Sequence, residues 1–431
     1  MSERRPALGF IFITLVIDIT GIGLGIPVLP DIVNGLAGGA TRGAQWLGWL
    51  TASYALMQFL FSPLLGCLSD RYGRRPVILF SLLGLGLDYV LLVFANTLPL
   101  FFLGRIVAGF TGASITAASA YIADVSPPEK RAQNFGIVGA AFAIGFIVGP
   151  LLGGYLGKFG PTLPFLGDYG ARLPFMVAAA FTLANVAYGY FVLPESLLPQ
   201  NRRNVDWSRT NPLGALLALK RYPIVAGIAG SIFLSALAHQ ILQNVWVNYT
   251  KFRYEWDPTQ VGLSLAAMGL AYGTVQGGLT RKIIPLLGER KTIIFGQMIH
   301  VLGFLLYGLA AKGVQVYFVI CFAALGAVNG PAMQGLISKN VKANEQGTVL
   351  GSIASLNSLA AVLGPLVGLQ TFAFFINKER FSTPLPGAPF FLGSFILIAA
   401  LAISIIAMKR TQLSEKAEPK QSKLEPDTVA N

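Results

Sequence analysis

Five ionisable side chains stand inside stretches of sequence that are otherwise apolar: Asp18, Asp88, Arg105, His239 and His300, the last two being the only histidines. A charged Asp or Arg near the middle of a membrane helix costs about 2.5–3.5 kcal/mol on insertion scales, so such groups face a helix bundle or a wet cavity. Helical spacing agrees. Asp18, Gly21 and Gly25 share one helix face, ahead of Pro27, and Arg105, Gly109, Gly112 and Thr116 share another. Arg105 can hold one carboxylate in a static pair, but two acids against one base leave a formal −1. A carboxylate without its own cation is expected to take up and release a proton as its surroundings alternate between wet and dry, which makes Asp18 and Asp88 the candidate coupling pair. His300 is a third titratable group; its structural role would be hydrogen-bonded packing. His239 is the weaker candidate.

The elements that must carry these groups are membrane spans. Of 431 residues, 54% are hydrophobic and 12% charged. Apolar windows fall at about 7–29, 44–67, 76–95, 97–122, 134–158, 172–193, 222–248, 259–280, 292–311, 314–337, 348–376 and 388–408, each long enough for a hydrocarbon core of about 30 Å. Twelve spans put both termini on one side. Most of the Lys and Arg behind the net charge of +13 then lie on that side, which the positive-inside rule makes cytoplasmic. The basic excess is therefore a topology signal, and no aromatic–basic interleaving or zinc-type spacing supports a nucleic-acid partner. Cys67 and Cys321 fall in different halves and suggest neither disulfide nor metal site. The start resembles a signal peptide, but Asp18 interrupts its apolar run and no A-x-A-like cleavage site follows, so it reads as an uncleaved first helix.

The chain divides into 1–193, a polar linker at 194–221, 222–408, and a charged, proline-containing tail at 409–431 expected to be disordered. Gly149 to Gly154 (GPLLGG) is echoed by Gly364 to Gly368 (GPLVG), and Gly73-Arg74-Arg75 by Gly288-Glu289-Arg290. Both echoes share an offset of 215, since 365 − 150 and 288 − 73 agree, as duplication of a six-helix unit predicts. Gly145, Gly149, Gly153 and Gly157, spaced four apart beside Pro150, form a flat stripe on which another helix can pack closely. Neutral polar groups gather in the second half. Gln240, Gln243, Tyr272 and Asn357 are the candidates for substrate contact, with interhelical hydrogen bonding as the plainer role.

Between the second and third spans lies Gly66-Cys67-Leu68-Ser69-Asp70-Arg71-Tyr72-Gly73-Arg74-Arg75-Pro76. Asp70 stands next to a helix N-terminus, which favours negative charge, and Arg74 can reach Asp124 in the turn after span four. This turn resembles the Gly-x-x-x-Asp-(Arg/Lys)-x-Gly-(Arg/Lys)-(Arg/Lys) signature of major facilitator superfamily transporters. The resemblance implies an all-α fold of twelve transmembrane helices in two pseudo-symmetric six-helix halves, and a conformational latch carried onto Gly66, Asp70, Arg74, Arg75 and Asp124. GFIVGPLLGG is similar to the superfamily's antiporter motif, placing Gly145, Gly149, Pro150, Gly153 and Gly154 in it. IDITGIGLGIPVLP, LGLDYVLL, LGRIVAGFTGAS and WDPTQVGLSLA resemble drug:proton antiporters of the tetracycline-efflux branch, which implies functional roles for Asp18, Asp88 and Arg105. Where that branch has a histidine in helix 8 and an aspartate in helix 9, this chain has Tyr272 and His300.

The expected function is proton-coupled export of small amphipathic drugs, tetracycline-like or multidrug, by a multi-pass protein of the bacterial inner membrane, with no cofactor and no need for more than a monomer. Partners are then a small-molecule substrate, the proton and membrane lipid. Proton-coupled uptake of a small metabolite is the alternative, because the fold fixes neither direction nor substrate. A receptor or scaffold would need a soluble signalling domain that the sequence lacks. No nucleophile elbow, phosphate loop or metal-ligand cluster supports an enzyme.

Overall fold

The computed structural model describes residues 8–112, 114–203, 223–341 and 345–417. Among these, eleven helices are long and apolar enough to cross a membrane: α1 (Leu8–Ala37), α2 (Ala40–Tyr72), α3 (Arg74–Phe94), α4 (Leu98–Val125), α5 (Gln133–Thr162), α6 (Pro164–Val192), α7 (Val225–Tyr254), α9 (Glu289–Leu309), α10 (Gly313–Lys339), α11 (Gln346–Ile376) and α12 (Ala388–Lys409). The expected twelfth element, α8, is Pro258–Thr274. It continues through a π turn, Val275–Leu279, into Thr280–Leu287. Thirty residues at 1.5 Å each give about 45 Å, ample to traverse the bundle, but Gly, Gln and Thr dilute its apolar character. Among the described residues there is no strand.

Helix ends follow local chemistry. Gly73, at φ 110°, takes the backbone out of α2 and into α3 at a conformation that a side chain would resist. Gly112, at φ −73° and ψ 52°, interrupts α4, which resumes at Ser114. The last helix runs on to Ala417. It extends past the apolar span, which ends at Lys409, because a helix can outlast the apolar pattern that reveals it. Residues 418–431 and the linker residues 204–222 lie outside the described set.

The same pairings recur in both halves: α1 on α5 matches α7 on α11, and α3 on α6 matches α9 on α12. Contact between halves concentrates at the end of the bundle remote from the chain termini, where α2 lies along α11 and α5 along α8. A Cβ added to Gly23 would stand 2.9 Å from the Cα of Gly149, and one on Gly154 would come within 3.0 Å of the Pro258 carbonyl carbon. The α5 stripe thus seats α1, while its flank seats α8. At the terminal end, an apolar cluster around Ile11, Leu15, Val77, Ile78 and Ile122 fills the first half. A separate one around Ile293, Met333 and Ile337 fills the second.

Candidate functional site

α1, α3 and α4 carry the three charged side chains into the interior of the first half. Asp18 and Asp88 are fully buried, at 0% and 1% exposure. The Arg105 guanidinium donates to Asp88 Oδ2 and lies 5.7 Å from the centroid of the Tyr54 ring, an arrangement favourable for a cation against an aromatic face. Asp18 has no salt bridge among the described residues; its Oδ2 accepts a hydrogen bond from Ser114 Oγ at 2.7 Å. The second oxygens of both carboxylates are buried without a hydrogen-bond partner. The single base has therefore taken Asp88, and Asp18 is the surplus acid.

Above this cluster, between the halves, is a cavity of about 570 Å³. Leu47, Leu50, Phe101, Phe146, Phe175 and Trp246 supply its apolar walls. Its polar lining comes from Tyr54, Gln58, Tyr89 and Arg105 in the first half and His239, Gln240, Gln243, Asn244 and Tyr272 in the second. Such a chamber, apolar with a few convergent donors and acceptors, suits a small amphipathic ligand. Three of the four expected substrate residues line it. Asn357 does not: it is exposed on α11, because helical position alone does not tell which face of a long apolar helix meets the pocket. His300 also lies outside the lining, 4% exposed. Its ring packs edge-on against that of His239, with centroids 4.5 Å apart, and its two nitrogens have no hydrogen-bond partner. His239 is the member of this pair that opens on the cavity, with Nδ1 2.8 Å from the carbonyl oxygen of Ser235.

At the terminal end, Arg74 Nε donates to Asp124 Oδ2 at 2.9 Å and its Nη1 to Ser69 Oγ at 2.7 Å and to Asp70. These contacts lie within the first half and its exit. Gly66 stands in open space, and Arg75 donates to the Tyr190 carbonyl. The residue missing from the expected set is Glu195, which reads in sequence as a solvated linker residue. Its Oε1 accepts from the backbone of Arg74 at 2.9 Å and of Ser196 and Leu197 at 3.0 Å, and its Oε2 from Arg75 N–H at 3.2 Å. Two orphan donors opening α3 are satisfied there. Tyr54 and Gln58 were also missed, although their i, i+4 spacing on α2 is the signal that revealed Arg105 and Gly109.

The far end is closed by bonds between halves. Lys251 pairs with Asp31, Lys158 with Asp257 at 2.8 Å, and Gln370 Nε2 donates to the Gln45 carbonyl at 3.2 Å. Asp257 also caps α8 in a reciprocal box with Gln260. Burial raises the proton affinity of the Asp257 carboxylate, but the Lys158 hydrogen bond and the Gln260 N–H outweigh it, so the group titrates below the 3.8 of an ordinary aspartate.

Two six-helix halves around a central chamber, with buried charges in one and polar amides in the other, define a membrane transporter. The chain belongs to the Major Facilitator Superfamily, whose family model matches residues 11–365 and 228–426. It is 36% identical to the tetracycline resistance protein, class C, of Escherichia coli, over 86% of this chain and 91% of that one, which places it in the tetracycline resistance branch. It is 28% identical to multidrug resistance protein 2 of Bacillus subtilis (strain 168), over 94% and 96% of the two chains. Among solved structures, a bacterial homolog of the human lysosomal transporter Spinster, inward-facing and unoccupied, covers 96% of this chain and 98% of its own, at TM-score 0.71 and 18% identity. That likeness concerns the fold.

Proposed function

We propose that this chain is a proton-coupled antiporter that exports small amphipathic drugs by alternating access, acting as a monomer in the bacterial inner membrane with its termini in the cytoplasm. The observation that carries the reading is Asp18: a carboxylate at 0% exposure, held by one hydroxyl at 2.7 Å, while Arg105 is occupied by Asp88. An isolated buried carboxylate is costly in its ionised form, so protonation at Asp18 must change as the bundle opens to either side. Gln240, Gln243 and Tyr272 contact drug in the chamber, Arg105 and Asp88 keep the adjoining charge balanced, and His300 responds through His239. With the far-end bonds made, the chamber faces the cytoplasm. The Arg74–Asp70–Asp124 cluster serves the opposite, outward-facing state. The 36% identity to a tetracycline resistance protein supports drugs of that kind as substrates, while Tyr272 and His300 set the pocket apart from that branch's pattern.

The test is proton release from liposomes holding the purified protein when tetracycline is added. Asp18→Asn abolishes drug-driven proton movement while the protein inserts and folds; undiminished movement would remove Asp18 from the mechanism. Accumulation of the drug inside right-side-out cells, in place of extrusion, would favour the uptake reading.

A further inference from the structure

We infer that the proton exchanged at Asp18 reaches the terminal end through the interior of the first half, along Ser114, Asn185 and Tyr121, by a route separate from the drug chamber. The inference rests on Asp18 being the coupling carboxylate.

Asp18 is not part of the chamber wall, although Ile22 and Gly25, further along α1, are. Toward the terminal end its surroundings are polar at intervals. Asn185 Nδ2 donates to the carbonyl of Thr14, one turn of α1 below Asp18, at 2.9 Å. The Asn185 Oδ1, Thr182 Oγ1, Ser81 Oγ and Tyr121 hydroxyl are all buried without a hydrogen-bond partner. They come from α6, α3 and α4, which pack on one another or on α1, and none of them lines the chamber. Polar atoms threaded through an apolar core are ordinarily satisfied by ordered water.

Distance along the helices fits a relay. Ser114, bonded to Asp18, and Tyr121 are two turns apart on one face of α4, about 10.5 Å of rise. Tyr121 is within electrostatic reach of Glu195, and Asp124, one turn beyond it, is bound by Arg74 at 2.9 Å. The row therefore ends on the charged cluster at the terminal surface. Along it each hydroxyl or bridging water accepts a proton on one lone pair as it gives up its own, so one proton leaves the Asp18 carboxyl and one emerges at the surface. Tyr121 stays neutral between steps, and Asn185, which does not ionise, orients water. In this arrangement a drug in the chamber does not obstruct the exit of the proton.

Tyr121→Phe removes one hydroxyl and little volume. In liposomes, using whichever of tetracycline or ethidium the wild-type protein moves, the variant is expected to slow drug-driven proton flux about tenfold and to leave drug-for-drug exchange within twofold. Equal loss of both, or loss of neither, overturns the route. A drug-free measurement runs in parallel: after a pH jump, the infrared carboxylic-acid band that Asp18→Asn removes should appear more slowly in Tyr121→Phe than in the wild-type protein. An unchanged rate in Tyr121→Phe sinks the relay. If Asp18→Asn itself leaves drug-driven proton flux intact, the antiport reading has failed, and that result is distinct from failure of the route.

Discussion

At the scale of single residues, the three charges of the first half differ in what their loss does. Asp18 has one hydroxyl partner, so Asp18→Asn keeps its shape and hydrogen bond and costs function without costing fold. Arg105 is the cation for Asp88, and removing one member of a buried pair leaves the other uncompensated, at about 3–5 kcal/mol. Arg105→Ala should therefore lower the detergent-solubilised melting temperature sharply. Adding Asp88→Asn should restore most of it without restoring drug-driven proton flux, because the stranded charge is gone while the balance of the site is not. Equal melting points for single and double variants would mean that the pair contributes little to the fold. These charges were legible in the sequence because hydrocarbon makes them expensive, and Arg105 had two possible partners until the fold put it on Asp88. Glu195 was not legible. Its role as a cap for α3 depends on a chain segment returning from the end of α6, which no local pattern records.

Helix by helix, close approach decides more than polarity. The α5 stripe could be read from its period of four, and Gly149 does meet Gly23 of α1, with only 2.7 Å between an added Cβ and the Gly23 Cα. What the stripe could not announce is its other neighbour, α8, against which Gly154 and Pro150 pack. That contact joins the halves and so exists in one state of the cycle. Gly154→Val forces α5 away from Pro258 without disturbing the α1 face. It should depress transport several-fold while leaving expression and melting temperature near wild type, whereas Gly149→Val, wedged inside the first half, should lower both. Transport and thermal-shift assays on the two variants separate the roles; a Gly154→Val protein as unstable as Gly149→Val would show that the flank is also part of the static core. Asn357 shows where polarity alone does not fix a position: it is exposed and outside the chamber lining. Its polarity on an apolar helix pointed to the chamber, but α11 is 31 residues long, and its residue 357 meets other surroundings.

For the whole molecule, the question is what holds the far end shut while the terminal end admits drug. The closure consists of the Lys251–Asp31 and Lys158–Asp257 pairs and the Gln370–Gln45 contact, placed where α7 meets α1, α5 meets α8 and α11 meets α2. A transporter must break such bonds each cycle, so modest strength suits them, and partly exposed pairs contribute roughly 0.2–1 kcal/mol each. Asp257 titrates below 3.8, so the stability it lends to closure is fully present above that value and is lost only as pH falls through its lowered pKa. The Lys158–Asp257 pair therefore stays charged at neutral pH. Neutralising both acids, Asp31→Asn with Asp257→Asn, should move the balance between closed and open far ends by about 2- to 30-fold. Spin labels at Gln45→Cys and Phe374→Cys, in a background without Cys67 and Cys321, should then report a longer-distance population at neutral pH that wild type lacks, and raised ionic strength should produce part of the same shift by screening. If the distance distribution does not change, the far end is held by the glycine-seated helix contacts alone, and the ion pairs only decorate a closure that packing has already made.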